Sequence, residues 1–315
     1  MKNHLIIAGC IIIIGIVLFV CIMGYLKWDF SALSLFKSVM REYEITDPYK
    51  NISIKTETAD VTLLPSSDGK TKVTSIAHEK LSYSVFVEGE TLVITLNDTR
   101  AWYEKINTRG STLTVYLPAD EYGALVIDLS TGDTEISDAF SFGSVDVSAS
   151  TGDVECFASV SGGVNIGVST GDILVEGASV GSLTITASTG DVEVKSLNCL
   201  GNVSITVSTG DVELTQASLE NLVSVGSTGD IKLVSVAASQ GFNLERSTGN
   251  VIFNGCDAND IFVKTTTGSV KGSFLTEKII FASTGTGRVD VPESTVGGKC
   301  KVETSTGDII LEICE

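Results

Sequence analysis

Carboxylates return in this sequence at a near-constant interval. Asp133, Asp153, Asp172, Asp191, Asp211 and Asp230 each follow a glycine, and Glu135, Glu155, Glu193 and Glu213 stand two residues further along. Such a row could hold a hard cation, cleave a glycosidic bond by acid and base catalysis, or attract a cationic partner. Calcium needs several oxygens converging at about 2.3–2.6 Å, and one column whose later members are Asn250 and Ser269 offers no cage. Glycoside cleavage needs two carboxyl groups in unlike surroundings facing each other across a cleft, whereas these form a monotonous row. The only histidines, His4 and His78, lie outside the repeats, so a histidine-based triad is not expected there. The sequence thus points to turn-stabilising aspartates and, secondarily, to a weak cation-binding or cationic-peptide stripe. No metal, cofactor or catalytic group is expected.

The elements that position these acids are legible in the repeat. Ser-Thr-Gly-Asp or a close variant occurs ten times, with turn glycines Gly132, Gly152, Gly171, Gly190, Gly210, Gly229, Gly249, Gly268, Gly285 or Gly287, and Gly307. Numbering the turn glycine zero, the clearest unit places Val203, Ile205 and Val207 at −7, −5 and −3 and Val212 and Leu214 at +2 and +4. Alternation with period two on each side of the turn predicts two short strands with one buried face. The phase changes across the turn, so the chain must bend there, and glycine supplies the positive φ.

One such unit cannot bury its apolar face alone, but stacked copies can. The expected fold is all-β: a β-solenoid of about ten 19–20-residue rungs, paired in parallel, preceded by one transmembrane helix. Antiparallel hairpins turning at Thr-Gly are the rival. Residues 121–315 would be the regular solenoid and 45–120 its irregular strand-rich N-terminal cap, with a hairpin turn at Glu88-Gly89-Glu90. Three places strain the rule. Ser224 and Gly226 occupy apolar columns, Arg246 at −3 is expected to bulge outward, and Gly285-Thr286-Gly287 reads as a turn carrying two extra residues.

Net charge is −18, which argues against nucleic acid, because phosphate binding requires a basic surface. Leu5 to Leu26 is an uncharged run of 22 residues, long enough as a helix (~33 Å) to cross a bilayer, so membrane lipid is the first expected partner. Residues 1–27 are therefore read as tail and membrane anchor, with the repeats outside the cell. Trp28, Ala32, Leu35, Phe36 and Val39 recur at helical spacing, so 28–44 is expected to be an amphipathic helix or linker. Among seven cysteines there is no metal-type Cys-x-x-Cys spacing. Cys156 and Cys300 fall in apolar columns, and Cys256 and Cys314 stand three repeats apart, too far for a bridge.

Thr58 to Pro65, the strand Glu90 to Ile94, Leu113 to Pro118 and the serial Ser-Thr-Gly-Asp turns, in that order, resemble a bacterial family of adhesin-like proteins with β-strand repeats, domain of unknown function 4097. The resemblance covers Glu44 to Glu315. It implies an extracytoplasmic, often membrane-tethered β-solenoid linked to the envelope, and supplies no catalytic residue. The expected function is adhesion or envelope sensing without turnover, with envelope components or cationic peptides as partners. Trp102 and Tyr103, in the non-repeating stretch Arg100 to Arg109, form a candidate interaction loop. The alternatives are a polysaccharide-active β-helical enzyme, and a surface scaffold that self-associates through end strands such as Asp308 to Ile313.

Overall fold

The computed structural model describes residues 2–25, 38–100 and 110–314, with the side chains of residues 2–11 left out. Helix α1 (Lys2–Tyr25) precedes an all-β stack. Ile12, Ile13, Ile14, Ile16, Val17 and Leu18 of α1 are exposed. Among the described residues, no helix is long and apolar enough to cross a membrane. Trp28, Ala32, Leu35 and Phe36 lie outside the described residues.

The first strands are β1 (Ser38–Ile45), β2 (Asn51–Pro65), β3 (Thr71–His78), β4 (Leu81–Glu88), β5 (Thr91–Asp98) and β6 (Ser111–Leu117). β1 corrects the expectation of helix or linker through residue 44. Val39, Arg41, Tyr43 and Ile45 alternate with exposed neighbours and pair antiparallel with β3, so period two overrides the helical spacing.

The regular part opens with β7 (Glu121–Thr131) and β8 (Thr134–Ile136), then β9 (Ser141–Thr151) and β10 (Val154–Cys156). It continues through β11 (Ser159–Thr170), β12 (Ile173–Glu176), β13 (Ser179–Thr189), β14 (Val192–Lys195), β15 (Asn198–Cys199) and β16 (Asn202–Thr209). Three long strands, β17 (Val212–Thr228), β18 (Ile231–Thr248) and β19 (Val251–Thr267), lead to β20 (Val270–Phe274). β21 (Lys278–Thr286), β22 (Val289–Asp290), β23 (Gly298–Thr306) and β24 (Ile309–Ile313) finish the stack.

Coil lies on coil in parallel register: Val164 pairs Leu183, Leu183 pairs Val203, and Val203 pairs Leu222. The hairpin rival is thereby excluded for the repeats. Aligned columns such as Ile127, Val147, Ile166, Ile185 and Ile205 are buried and fill the interior. Parallel pairing carries on through the turns, because the turn glycine N–H of every coil with a successor also donates to that next coil, as Gly190 does to the Thr209 carbonyl at 3.1 Å. The glycine is required twice over. At Gly190 φ is +137°, and a Cβ there would sit 1.9 Å from the Gly171 carbonyl oxygen.

Spatial order departs from chain order at both ends. The β2 coil is sandwiched between β5 with β6 on one side and β7 with β8 on the other. Beyond β5 and β6 the cap turns antiparallel: β4 pairs β5, β3 pairs β6, and β1 pairs β3. At the other end β23 inserts between β19 and β21, and β24 between β20 and β22. The coil formed by β21 and β22 is therefore terminal in space although it is not last in sequence. This corrects two expectations. Ile309 and Ile310 are paired on both sides and only Leu311 to Ile313 remain one-sided, so the long free edge at this end belongs to β21 and the final strand contributes no more than its last residues. The turn glycine of that coil is Gly287, with φ +152°, a regular step of 19 from Gly268, while Gly285 merely replaces the usual serine at −2; no extra residues are present.

Cys314 is brought to within two coils of Cys256, on the far side of Phe274, a spacing still too wide for a disulfide, and both thiols are free. Cys156 and Cys300 are buried as expected, and burial pushes their thiols up to about 11 and about 12.

Arg246 is buried, against the expected outward bulge. Register places Gly226 beside it in the preceding coil, and Ser224 two residues before that glycine. The missing side chain at Gly226 makes room: a Cβ there would lie 2.4 Å from an Arg246 guanidinium nitrogen. One terminal nitrogen donates to the Glu245 carbonyl at 3.4 Å and the other to Ser224 Oγ at 3.5 Å, while Nε has no partner. Desolvation lowers the Arg246 pKa, opposed by the charge of Asp211.

Candidate functional site

The turn aspartates form one continuous ladder. Each carboxylate oxygen accepts the backbone N–H of the +1 residue one coil further on: Asp133 from Asp153 at 2.9 Å, Asp153 from Asp172 at 2.8 Å, Asp172 from Asp191 at 2.7 Å, Asp191 from Asp211 at 2.8 Å and Asp211 from Asp230 at 2.7 Å. Bonds of this kind, with an ionised acceptor, are short and strong. The +1 column needs Asp because a side chain one carbon shorter than Glu reaches the next turn at this spacing and leaves its second oxygen toward water.

The ladder is longer than the sequence reading suggested. Asp60 begins it, accepting from Asp133 N–H at 3.2 Å, because Ala59 occupies the place of a turn glycine. At the other end Asp230 accepts from Asn250, Asn250 Oδ1 from Ser269, Ser269 Oγ from Asp308, and Asp308 from Arg288. Asn and Ser substitute without breaking the series since each still offers an acceptor oxygen.

The +3 column is less uniform. Glu135 stands beside Glu155 and Glu193 beside Glu213, but Leu174 separates the two pairs. Lys195 lies 2.7 Å from Glu193, and Lys232 lies 2.7 Å from Glu213. At the N-terminal end Glu135 and Glu155, with Asp60, Asp133 and Asp153, line a shallow hollow of about 230 Å³. Neighbouring carboxylates one coil (~4.8 Å) apart repel by only about 0.9 kcal/mol in water. Among the described residues, no three His, Cys, Asp or Glu side chains converge to hold a metal ion. Trp102 and Tyr103 lie outside the described residues.

What this arrangement can do follows from its geometry. It is a solvent-facing comb of negative charge with fixed teeth, since every tooth is tied to the next coil. Its charges repeat at the coil spacing, and no member is set apart from its neighbours.

The family model described as Toastrack DUF4097 matches residues 49–225 and 195–315. A search of curated proteins gives no match. Among solved structures, one described as a putative adhesin from Parabacteroides distasonis is 13% identical over 86% of this chain and 98% of its own, with TM-score 0.49. Another of the same description from Parabacteroides merdae is 12% identical over 89% and 97%, with TM-score 0.48. A third, described as a putative lipid binding protein from Parabacteroides distasonis, is 15% identical over 89% and 97%, with TM-score 0.37. At such identities and TM-scores these likenesses lend nothing to a functional argument.

Proposed function

The chain belongs to the Toastrack DUF4097 family, and on that premise we propose that it is a membrane-anchored, extracytoplasmic β-solenoid that works by binding, as an adhesin or an envelope-sensing protein, and not by catalysis. The observation that carries this reading is the hydrogen-bonded aspartate ladder. It accounts for the most conspicuous acids of the sequence as parts of a rigid contact surface, in which every member makes the same bond and none is singled out for proton transfer. Envelope polymers or peptides with repeated positive charge are the partners that surface fits.

Anchoring rests on the uncharged run Leu5 to Leu26 and on the exposure of Ile12 through Leu18 in α1. The described part of α1 does not by itself make a span, so the proposal rests on the whole uncharged run, which would be out of place in water. Two experiments test the proposal. Membranes from cells making the full chain are washed at alkaline pH, and intact cells are treated with protease: the chain should stay with the membrane and the repeats should be cleaved from outside. Full chain in nanodiscs is then offered envelope glycans and a polylysine peptide. Retention that weakens with salt supports binding, and sustained release of cleaved glycan would replace this reading with an enzymatic one.

A further inference from the structure

β21 pairs with β23 on one side, and among the described residues no strand pairs with its other side. Its inward side chains show the consequence. Ile280 and Ala282 are half-buried, whereas Cys300 and Val302, their counterparts one coil inward, are fully buried. Around this edge Phe281 and Val296 are each 60% exposed and Leu275 is 55% exposed. From Ile279 to Gly287 there is no charge and no proline, so the devices that normally discourage a strand edge from pairing are missing.

The opposite end of the stack is built differently, since β1 and β4 run antiparallel to their neighbours and the start of β4 is occupied by side chains. Arg41 donates to the Leu81 and Glu79 carbonyls, and the Tyr83 N–H donates to the Tyr43 hydroxyl at 3.3 Å, so groups along β4 that could receive another strand are already taken. Head-to-tail stacking of copies would have to join the parallel coil of β21 to this reversed edge, whereas tail-to-tail pairing joins like to like. A parallel coil end of this cross-section is matched by another of its kind, and the like coil end is that of a second molecule. The two-fold arrangement is the one that closes.

We propose that β21 is the pairing edge of a tail-to-tail dimer, in which two copies join their β21 strands antiparallel about Ala282. That register keeps the inward faces aligned, with Ile280 opposite Thr284 of the other copy and Phe281 opposite Ser283. It also sets the exposed Glu277 of one copy opposite the turn glycine Gly287 of the other, one residue from Arg288, so unlike charges lie near each other at both rims. Pairing covers the apolar end and satisfies the free backbone groups. The inference is independent of whether α1 sits in a membrane.

The test uses the full chain in mild detergent, with mass read by sedimentation. Wild type should carry twice the mass of one chain. Two double variants, Phe281→Lys with Ser283→Lys and Phe281→Glu with Ser283→Glu, set like charges opposite each other in the proposed register. Each alone should associate about 100-fold more weakly, and a one-to-one mixture should regain the paired mass. A single-chain mass for wild type, pairing that survives in both variants, or a mixture that stays unpaired would each overturn the proposal. Should the variants fail to fold, hydrogen exchange on wild type decides: amides of Lys278 to Thr286 should lose protection on dilution, and concentration-independent exchange would refute the dimer.

Discussion

The two ends of this stack finish the same repeating coil in different ways. At the N-terminal end strand direction reverses: β1, β3 and β4 run antiparallel to their neighbours, and the Arg41 guanidinium bridges from β1 to carbonyls of Glu79 and Leu81. At the C-terminal end nothing reverses. An ordinary coil, β21 with β22, simply has no successor above it, and its corner is held by Lys278, which reaches past Gly298 to Asp257 at 2.6 Å. A parallel stack thus needs a change of strand direction to stop, and without one it presents a surface shaped for its own kind.

The contrast can be broken most forcefully at the ion pair of the open end. Lys278 is 2% exposed, so Asp257→Asn leaves a buried ammonium without its counter-charge and should cost about 3–5 kcal/mol in unfolding experiments. Arg41→Ala at the closed end should cost less, about 2 kcal/mol, and should raise hydrogen exchange in Leu81 to Glu88 while leaving β21 unchanged. A next comparison places one substitution at two heights. Gly190→Ala in the middle forces a Cβ against the Gly171 carbonyl between fixed coils and should cost about 3 kcal/mol. Gly287→Ala makes the same clash with the Gly307 carbonyl from a terminal coil free to shift, and should cost about half as much.

Smaller effects sharpen the picture within the open half. Arg246→Thr copies its neighbour Thr265, whose hydroxyl donates to the Gly249 carbonyl at 3.1 Å, and should raise stability by about 1 kcal/mol by removing a poorly bonded buried guanidinium. Last, Cys156 and Cys300 give an alkaline signature. The fold favours their protonated thiols, so above the ordinary thiol pKa of 9.0 the unfolded chain loses protons first. Their contribution is complete below pH 9 and declines as pH rises through about 11 and about 12. Near pH 8 a maleimide should label exposed Cys314 well before either of them.

Most of the stack is legible in the sequence because the columns are physical objects: like residues at −7, −5 and −3 must pile up if each coil is to bury anything. What the period does not encode is which coil lies on which. With similar columns, Val302 fits beside Val263 as well as beside Ala282, so the insertion of β23 is invisible to a reading along the chain. The outward bulge expected of Arg246 fails for a related reason. The cost of burying it is plain from its type, but the room for it comes from Gly226 and Ser224 one coil away, a signal visible only when adjacent coils are read together. Ala59 disguises the turn before Asp60, and Arg41 interrupts the otherwise apolar alternation of β1. The acid ladder itself was half legible. The column of aspartates is in the sequence, while its bonding partner, a main-chain amide, has no residue type to announce it.

The interposed segment Gly298–Ile313 also sets a timetable for biosynthesis. A nascent chain can add coils one upon another as far as β20, but Lys278 to Asp290 emerges from the ribosome before the layer on which it will rest. Until Gly298–Ile313 follows, Ile279, Ile280 and Phe281 have no seat. The last two layers must therefore assemble together, and that interval is when a chaperone would have most to shield.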